Sequence, residues 1–511
     1  MSELSSAAVS IAYCTDVEGN YDYWQRYVTL SKALSLGTNG RLILADGYLF
    51  VYGGDVCDRG AGDLRLLGDL NALNEDYPGR VFFIHGNRDV NKMRIPIEVH
   101  PAHLAKPGDV YWIPAKSEAG ESAVDRLKYI LAKTMGSPGG FDYRKAELAI
   151  LGKPNADEDV VQSYLDQVDG PYSPLMKYLQ RAVIAVNFGE VLFCHGGLNA
   201  NNFGWLPPRH PNANPEDVPS DLKLTPGSAG GEMCDDVHAW IQESNRRARE
   251  EIDDFLTRGK AYTDSLRTNF SPHWGTVGSY DHDQPGSRLG YLGMAQIAGP
   301  DKKTNPSIIY SSFINAGMPA DIEESVAIKL QNAGINRIVV GHQPHGDAPT
   351  LIQQHGLQVF MGDTSYSAGT LWDYGSTGTW SRREAADLAN PDLELTGLPI
   401  EKDNTRGVAV SEIIVVIPDG NVQYGAKSNV FIHGILSDGS TYDFQQTDIE
   451  TNRYVGKTDA SKSWTVKASN VSVKNGPLKG RNDVFLLSRG EGFAFKNKYV
   501  LPENMESEMM K

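Results

Sequence analysis

The chain has 511 residues, of which 40% are hydrophobic and 22% are charged, so its composition is globular and excludes wholesale disorder. Its 48 Lys and Arg residues against 64 Asp and Glu residues give a net charge of −16. This charge argues against a protein that coats nucleic acid or binds membranes through a basic patch. Four cysteines are too few for a disulfide scaffold. Because we find neither a signal-peptide pattern nor an apolar run of about 20 residues, we expect a soluble, cytoplasmic protein.

The order of apolar patterns along the chain predicts an α/β fold. Short apolar runs that end in polar loops predict strands over Val9–Tyr13, Tyr48–Tyr52, Val81–Ile84, Val191–Phe193 and Arg337–Val340. Apolar residues at helical spacing predict helices over Trp24–Leu36, Leu64–Leu73, Ala123–Met135, Glu158–Val168 and Asp235–Arg258. In the last of these, Asp235 and Asp236 are the expected cap and Gly259 the expected end. Strands that alternate with helices favour layered sheets with helices outside.

Two long stretches, about residues 100–180 and 200–300, interrupt this alternation, and we interpret them as insertions into the core. Beyond Gly407 the pattern changes to strands and glycine turns. Hairpin signals lie at Pro418-Asp419-Gly420 and Ser437-Asp438-Gly439. We therefore predict a main domain over residues 1–426 and a small β-rich C-terminal module over residues 427–511.

Five loops that follow predicted strands carry side chains able to bind a metal ion or a phosphate. They are Asp16–Asn20, Gly54–Gly60, Gly86–Asp89, His195–Leu198 and Gly341–Gly346. Because loops at the carboxyl ends of strands converge on one crevice, ligands this far apart in sequence can meet there. Carboxylates, one amide and imidazoles suit Mn²⁺, Fe, Zn²⁺ or Mg²⁺, and no thiolate cluster is present. Two ions ~3.5–4 Å apart would share a bridging carboxylate, for which Asp55 is placed, and Arg59 could clamp a phosphate.

The order and the residues of these five segments resemble the motifs of the calcineurin-like metallophosphoesterase superfamily. Gly54–Gly60 and His195–Leu198 are most similar to its phosphoprotein phosphatase branch, and Gly341–Gly346 to diadenosine tetraphosphatases. The resemblance implies a β-sandwich of two mixed sheets flanked by helices, here with two insertions and the C-terminal module. It also implies two divalent ions, with Mn²⁺ the first choice and Mg²⁺, Fe or Zn²⁺ as alternatives, and hydrolysis of a phosphate monoester by a metal-bridging hydroxide.

We assign roles to nine positions, eight carried over residue by residue from the resemblance and the ninth, Arg88, at a position that departs from it. The implied metal ligands are Asp16, Glu18, Asp55, Asn87, His195 and His342, with Asp55 as the bridge. The implied catalytic residues are Asp58, Arg59 and Arg88. The implied phosphate-binding residues are Arg59, Asn87 and Arg88. Asp363 lies where relatives carry an Asp after the last motif, and we expect His345 to be a loop residue.

Two positions depart from the family pattern. Glu18 replaces a His, which adds a negative charge and favours Mn²⁺ or Mg²⁺ over Zn²⁺. Arg88 replaces the His that is held to protonate the leaving group, and a guanidinium is a poor proton donor. Arg88 is then either an anion clamp or the partner of Asp58 or Asp89. Three accounts of the proton stay open: another residue donates it (His85, His100 and His103 are in range), the leaving group needs little help, or the chemistry has been lost.

These observations leave three functions in play. We expect a phosphorylated protein as substrate, with a nucleotide polyphosphate as the alternative. A catalytically inactive scaffold subunit of the same fold is the second alternative. We expect no nucleic-acid or membrane partner, and the C-terminal module is the candidate contact for a protein partner.

Overall fold

A computed structural model of the chain describes residues 8–104, 120–209, 222–227, 231–265, 285–289, 307–315, 318–364, 372–374, 380–382, 409–446, 453–459, 464–491 and 494–510. Two large sheets form its centre. The first sheet has seven strands in the spatial order Thr441–Gln445, Asn429–Ile435, Val410–Ile417, Val9–Cys14, Tyr48–Tyr52, Val81–Ile84 and Ala182–Val183. The last four of these run parallel, and the first three are antiparallel to their neighbours. The sheet is therefore mixed.

The second sheet has five strands in the order Thr350–Gln354, Leu357–Met361, Arg337–Val340, Val191–Cys194 and Ala185–Phe188. Its three central strands are parallel and its two edge strands antiparallel. All five strands predicted from the sequence are found in these two sheets, each within one residue of its predicted end.

The two sheets pack face to face as a sandwich, as predicted. Side chains alternate between the faces of a strand, so Ile11 and Tyr13 point into the core between the sheets, which also contains Phe193 and Val339. The intervening Ala12 and Cys14 belong to the outer core, which is covered by helices. The α/β fold of two mixed sheets flanked by helices is confirmed.

The described α-helices are Tyr21–Leu30, Asp63–Asp76, Asn87–Val90, Ile95–Glu98, Pro101–Leu104, Ala123–Lys133, Gly140–Ile150, Asp157–Asp166, Pro174–Arg181, Val237–Asp264, Glu324–Asn332 and Met505–Met510. Short 3₁₀ turns span Asn91–Arg94, Ser287–Leu289 and Pro502–Asn504. Within the described ranges, no helix has both the length and the apolar character of a membrane span.

Two predicted helix ends are wrong by six residues each, and the ends predicted at Leu73, Met135 and Val168 differ from the observed ones by two or three. The helix expected over Trp24–Leu36 ends at Leu30, because the Ser31 hydroxyl accepts hydrogen bonds from the backbone of Ala33 and Leu34 and turns the chain. Residues Leu34–Leu36 form a strand instead. The helix expected to end before Gly259 runs on to Asp264, because an interior glycine costs a helix only about 1 kcal/mol.

Short strands complete the description. Two-stranded ribbons pair Leu34–Leu36 with Leu42–Leu44, Ile314–Asn315 with Met318–Pro319, and Trp372–Tyr374 with Trp380–Arg382. A three-stranded sheet contains Leu224–Pro226, Glu232–Cys234 and Trp205–Leu206 in that order. The C-terminal sheet contains Thr458–Asp459, Trp464–Val471, Val484–Glu491 and Ala494–Val500, all antiparallel.

The sheets continue across the predicted domain boundary. The hairpin of Asn429–Ile435 and Thr441–Gln445 extends the first sheet beyond residue 426. Val466 and Leu486 of the C-terminal sheet share the core that lies between the two large sheets. The division into residues 1–426 and 427–511 stays a prediction, but the C-terminal sheet is packed on the sandwich. The first insertion has a core of its own, which includes Leu127, Ile130 and Tyr164.

Candidate metal centre

The five predicted loops come together at the carboxyl edge of the parallel strands. Asp55, Asn87, His195 and His342 each follow a strand by one to three residues, and Asp16 follows the first strand in the same way. Three of these residues have positive φ: 52° at Asp16, 56° at Asp55 and 73° at His342. Non-glycine residues rarely adopt this conformation, and it concentrates at functional sites.

Gly54 lets the loops approach each other. Its φ is +98°, and a Cβ there would lie 2.8 Å from the Gly86 backbone and 2.8 Å from Nδ1 of His195. Any side chain at this position would push apart the loops that carry Asp55, Asn87 and His195. The glycine is therefore required by close packing at the site.

Four side chains form what we call the metal centre: Asp55, Asn87, His195 and His342. Candidate ligand atoms of Asp55, His195 and His342 all lie within 4.8 Å of one another. Nε2 of His195 lies 3.4 Å from Oδ1 of Asp55 and 3.2 Å from Oδ1 of Asn87. These are carboxylate, amide and imidazole groups, the donor set of a hard or borderline divalent ion.

The ring of His195 is oriented as that of a metal ligand would be. Nδ1 of His195 lies 2.7 Å from the carbonyl oxygen of Gly53. When Nδ1–H donates to this carbonyl, the lone pair of Nε2 faces Asp55 and Asn87. A carbonyl partner of this kind fixes the tautomer and the ring of metal-binding histidines. The residues present therefore fit one divalent ion.

The electrostatics of the centre favour a cation. Burial alone would raise the pKa of the Asp55 carboxyl, but His195, Arg88 and His342 hold that pKa below its usual range. Burial alone would lower the pKa of His195, but Asp55 and Asp16 raise it to about 9. The negative charge of the carboxylates thus outweighs the effect of burial on His195. The same negative charge would attract a metal ion.

Glu18 and Arg88 are paired with each other. Nε of Arg88 lies 2.5 Å from Oε1 of Glu18 and 3.5 Å from Oδ2 of Asp55. Nη1 of Arg88 donates to Oδ1 of Asp58 at 3.1 Å and to the carbonyl of Met135 at 3.1 Å. Arg88 is therefore a partner of Asp58, one of the two readings open from the sequence. Its proposed contact with phosphate stays a prediction.

Asp58 is held from several sides at once. Its Oδ2 atom lies 2.5 Å from the Lys92 ammonium, and both side chains are fully buried. Burial would raise the pKa of Asp58, but Lys92 and Arg88 lower it, so the carboxylate stays ionised. Its carbonyl accepts a hydrogen bond from the Ser137 hydroxyl at 2.5 Å. These contacts hold the loop that carries Asp58, and its catalytic role stays a prediction.

Asp16 connects the first motif to the last. Its carboxylate accepts a 2.5 Å hydrogen bond from the Thr15 hydroxyl. It also accepts from the backbone N–H of His342, at 3.1 Å to Oδ1 and 3.0 Å to Oδ2. Burial raises the pKa of Asp16 to about 7.

The first insertion forms a wall of the site. Arg59 donates to the carbonyl of Gly136 from Nη2 at 3.0 Å, and its Nη1 lies 3.8 Å from Oε2 of Glu18. Met135, Gly136 and Ser137 thus contact Arg88, Arg59 and Asp58 respectively.

The three histidines in sequence range of Arg88 have different surroundings, and Nδ1 of His100 accepts a hydrogen bond from the backbone N–H of Ala102 at 3.2 Å. Burial lowers the pKa of His85 to about 3, so its imidazole is neutral at physiological pH. Nδ1 of His103 lies 3.1 Å from the carbonyl of Glu98 and 2.8 Å from Nη1 of Arg126, in the first insertion. His345 is buried against Lys467, and Asp363 is outside the one candidate cluster found among the described residues.

Two residues near the site were missed in the sequence. The ring of Tyr310 lies 5.0 Å from the ring of His342, and no motif marked it. Lys92 was detectable, because it lies four residues after Arg88 and such a pair shares one face of a helical turn.

With this geometry established, comparison with known proteins assigns the family. The chain matches the calcineurin-like phosphoesterases over residues 9–346, which is more than half of its length, and it belongs to that family. It is a phosphoesterase, with a candidate site for a divalent metal ion among the described residues. No curated protein sequence matches it.

The solved structures that the chain is similar to include the following three. A cold-active protein-tyrosine phosphatase of a psychrophile Shewanella sp. is 13% identical, with a TM-score of 0.37, over 87% of this chain and 84% of that chain. A protein serine/threonine phosphatase from Saccharomyces cerevisiae is 12% identical, with a TM-score of 0.31, over 84% and 81%. A protein assigned as a diadenosine tetraphosphatase is 10% identical, with a TM-score of 0.22, over 82% and 93%.

Proposed function

We propose that this chain is a metal-dependent phosphomonoesterase that acts on phosphorylated proteins and prefers esters with a good leaving group. One observation supports this proposal: the candidate ligand atoms of Asp55, His195 and His342 lie within 4.8 Å of one another. Arg59 and Arg88 lie beside this cluster. When bound there, a divalent ion, with Mn²⁺ the first choice, supplies a Lewis acid and an activated water.

The residues of the chain would divide the remaining work. Asn87 contributes an amide oxygen, 3.2 Å from Nε2 of His195, on the ligand side of the centre. Arg59 is partly exposed at the wall of the site, where its planar guanidinium can donate two parallel hydrogen bonds to a phosphate. Asp58 and Lys92 hold the loop from which Arg59 projects. The preference for phosphoprotein over nucleotide polyphosphate is supported by the net charge of −16, which repels a highly anionic substrate at long range.

The leaving-group preference follows from the replacement of an imidazole by Arg88. A guanidinium stays charged in proteins and does not protonate an alkoxide. Esters whose leaving group departs as a stable anion, such as the phenolate of phosphotyrosine, need no such acid. A phosphoanhydride shares this property, so nucleotide polyphosphate hydrolysis is the second candidate.

The test is a series of aryl and alkyl phosphates assayed with Mn²⁺. We expect kcat/KM to fall steeply as the pKa of the leaving group rises, with aryl phosphates and phosphotyrosine peptides preferred over phosphoserine peptides. Equal rates along the series would contradict the proposal. Faster turnover of a dinucleoside polyphosphate would favour the second candidate.

Asp55→Asn provides the matching variant, because it keeps the shape of the side chain and removes the charge of a ligand. We expect at least about a 1,000-fold loss of kcat, comparable to the loss of a main transition-state contact. Asp76→Asn, at an exposed pair with Arg41, is the control and should keep full activity. If no preparation releases phosphate from any of these substrates, the scaffold alternative gains support.

A further inference from the structure

The carboxylate of Asp55 lies between the imidazole of His195 and the guanidinium of Arg88. Its Oδ1 atom is 3.4 Å from Nε2 of His195, on the side of the metal centre. Its Oδ2 atom is 3.5 Å from Nε of Arg88, on the other side. A carboxylate that bridges two divalent ions presents one oxygen to each ion. In this chain, a guanidinium occupies one of the two positions next to Asp55.

The other ligands predicted for a first ion are also engaged. Oε1 of Glu18 lies 2.5 Å from Nε of Arg88, and its Oε2 lies 3.8 Å from Arg59. The carboxylate of Asp16 accepts hydrogen bonds from the Thr15 hydroxyl and the His342 backbone. An ion at this position would have to compete with an arginine for Glu18 and Asp55.

Arg88 is anchored in this position by several contacts. Its Nη1 donates to Asp58 and to the carbonyl of Met135, each at 3.1 Å. Its backbone N–H donates to Oδ1 of Asp55 at 2.9 Å, and its carbonyl accepts from Lys92 at 2.8 Å. The side chain is only 9% exposed. If the guanidinium left this position, buried carboxylates would lose their charged partner, which is costly. If it stayed, a metal ion beside it would be repelled by its positive charge, and this repulsion is strong in a medium of low polarity.

We propose that the guanidinium of Arg88 replaces the first metal ion, so that the chain binds a single divalent ion at the metal centre. This inference rests on the proposed function, because it treats the metal centre as the hydrolytic site. Glu18 and Arg88, the two departures from the family pattern, are then explained together: each replaces a histidine, and the positive charge of Arg88 neutralises the negative charge of Glu18. Arg88 acts as a positioning residue, which holds Asp55 and Glu18 and keeps a fixed positive charge next to the bound ion.

The first test counts metal in the full-length chain. Protein purified without chelator is loaded with excess Mn²⁺ and desalted, and bound Mn²⁺ is measured by elemental analysis and by electron paramagnetic resonance. We expect one equivalent, with the hyperfine pattern of an isolated ion. Two equivalents with an exchange-coupled spectrum would overturn the inference.

The second test restores two imidazoles. The double variant Glu18→His/Arg88→His is expected to bind a second equivalent and to show exchange coupling. Arg59→Ala removes the other arginine beside Glu18 and should keep one equivalent. A folded double variant that stays at one equivalent would contradict the claim that Arg88 excludes the ion. If the double variant does not fold, Arg88→Lys is the second variant to measure. It keeps the positive charge and should therefore bind one equivalent of Mn²⁺. Binding of a second equivalent would contradict the inference.

The outcomes separate this inference from the proposed function. One equivalent without hydrolysis of any phosphate ester would overturn the proposed function alone. Two coupled equivalents with hydrolysis would overturn this inference alone. No bound Mn²⁺ and no hydrolysis would overturn both.

Discussion

The ammonium group of Lys467, in the C-terminal sheet, lies 3.2 Å from Nδ1 of His345, three residues beyond the candidate metal ligand His342. The same ammonium donates to the carbonyl of His345 and to the hydroxyl of Thr350. Lys467 is only 1% exposed. The C-terminal sheet is thereby connected through a buried lysine to the loop that carries the last motif.

Replacing this lysine should weaken metal binding. In Lys467→Met, the His345 carbonyl and the Thr350 hydroxyl lose a buried donor, and the loop that carries His342 loses an anchor. We expect Mn²⁺ affinity to fall about tenfold, the low end of the cost of removing supporting hydrogen bonds from a metal site. Isothermal titration of the apo-protein measures this change. Lys498→Met, in the same sheet but paired with Glu508, is the control, and an equal loss there would refute a specific role for Lys467.

Asp347 should make stability depend on pH. Burial, only partly offset by hydrogen bonds from Ser437, raises the pKa of its carboxyl from 3.8 to about 6. The folded state therefore binds this proton more tightly than the unfolded state does. The contribution of Asp347 to stability is complete below pH 3.8 and is lost as the pH rises to about 6.

Asp347→Asn should remove this dependence. Relative to the parent, the variant should gain up to about 3 kcal/mol in free energy of unfolding between pH 4 and pH 7, the equivalent of a shift of about two pKa units. Urea unfolding at several pH values measures the difference. A constant difference between the two proteins across this range would be inconsistent with the prediction.

Lys92 should be essential for stability. Lys92→Met leaves Asp58, whose side chain is fully buried, with Arg88 as its remaining charged partner. Loss of one member of a buried ion pair costs about 3–5 kcal/mol. We expect a loss of this size in urea unfolding, with Lys177→Met, at an exposed pair with Glu75, changing stability by no more than about 0.5 kcal/mol. A loss below about 1 kcal/mol in Lys92→Met would mean that Arg88 suffices to hold Asp58.

Arg59 should affect substrate binding more than turnover. It lies at the wall of the site, where its guanidinium contacts the Gly136 carbonyl and lies 3.8 Å from Glu18. Arg59→Ala should therefore raise KM for an aryl phosphate about tenfold with little change in kcat, the pattern of a lost uniform binding contact. Steady-state kinetics measure both parameters, and the surface variant Arg41→Ala is the control. A drop in kcat at constant KM would instead indicate that Arg59 stabilises the transition state.

Local sequence determined the strands and the motifs that follow them. The runs Val81–Ile84 and Arg337–Val340 were predicted to the residue, because mainly apolar stretches this short between polar loops have the length of a buried strand and not of a typical helix. The candidate ligands Asp55 and His342 were identified for a related reason: the ends of parallel strands meet at one edge, whatever their distance in sequence. Helix ends were less predictable. The Ser31 turn ended the first helix early and left Leu34 in a short ribbon, and a single glycine was too weak a signal to end the long helix at Gly259.

Only the tertiary structure decided how the charges at the site are paired. Glu18 and Arg88 are 70 residues apart, and each looked like a separate departure from a motif until the sheet brought them to 2.5 Å. The contacts of Arg88 with Met135 and of Lys467 with His345 join segments that no local pattern connects. The physical reason is that strand and helix patterns depend on neighbours in the chain, whereas a buried charge must find its partner wherever the fold places one.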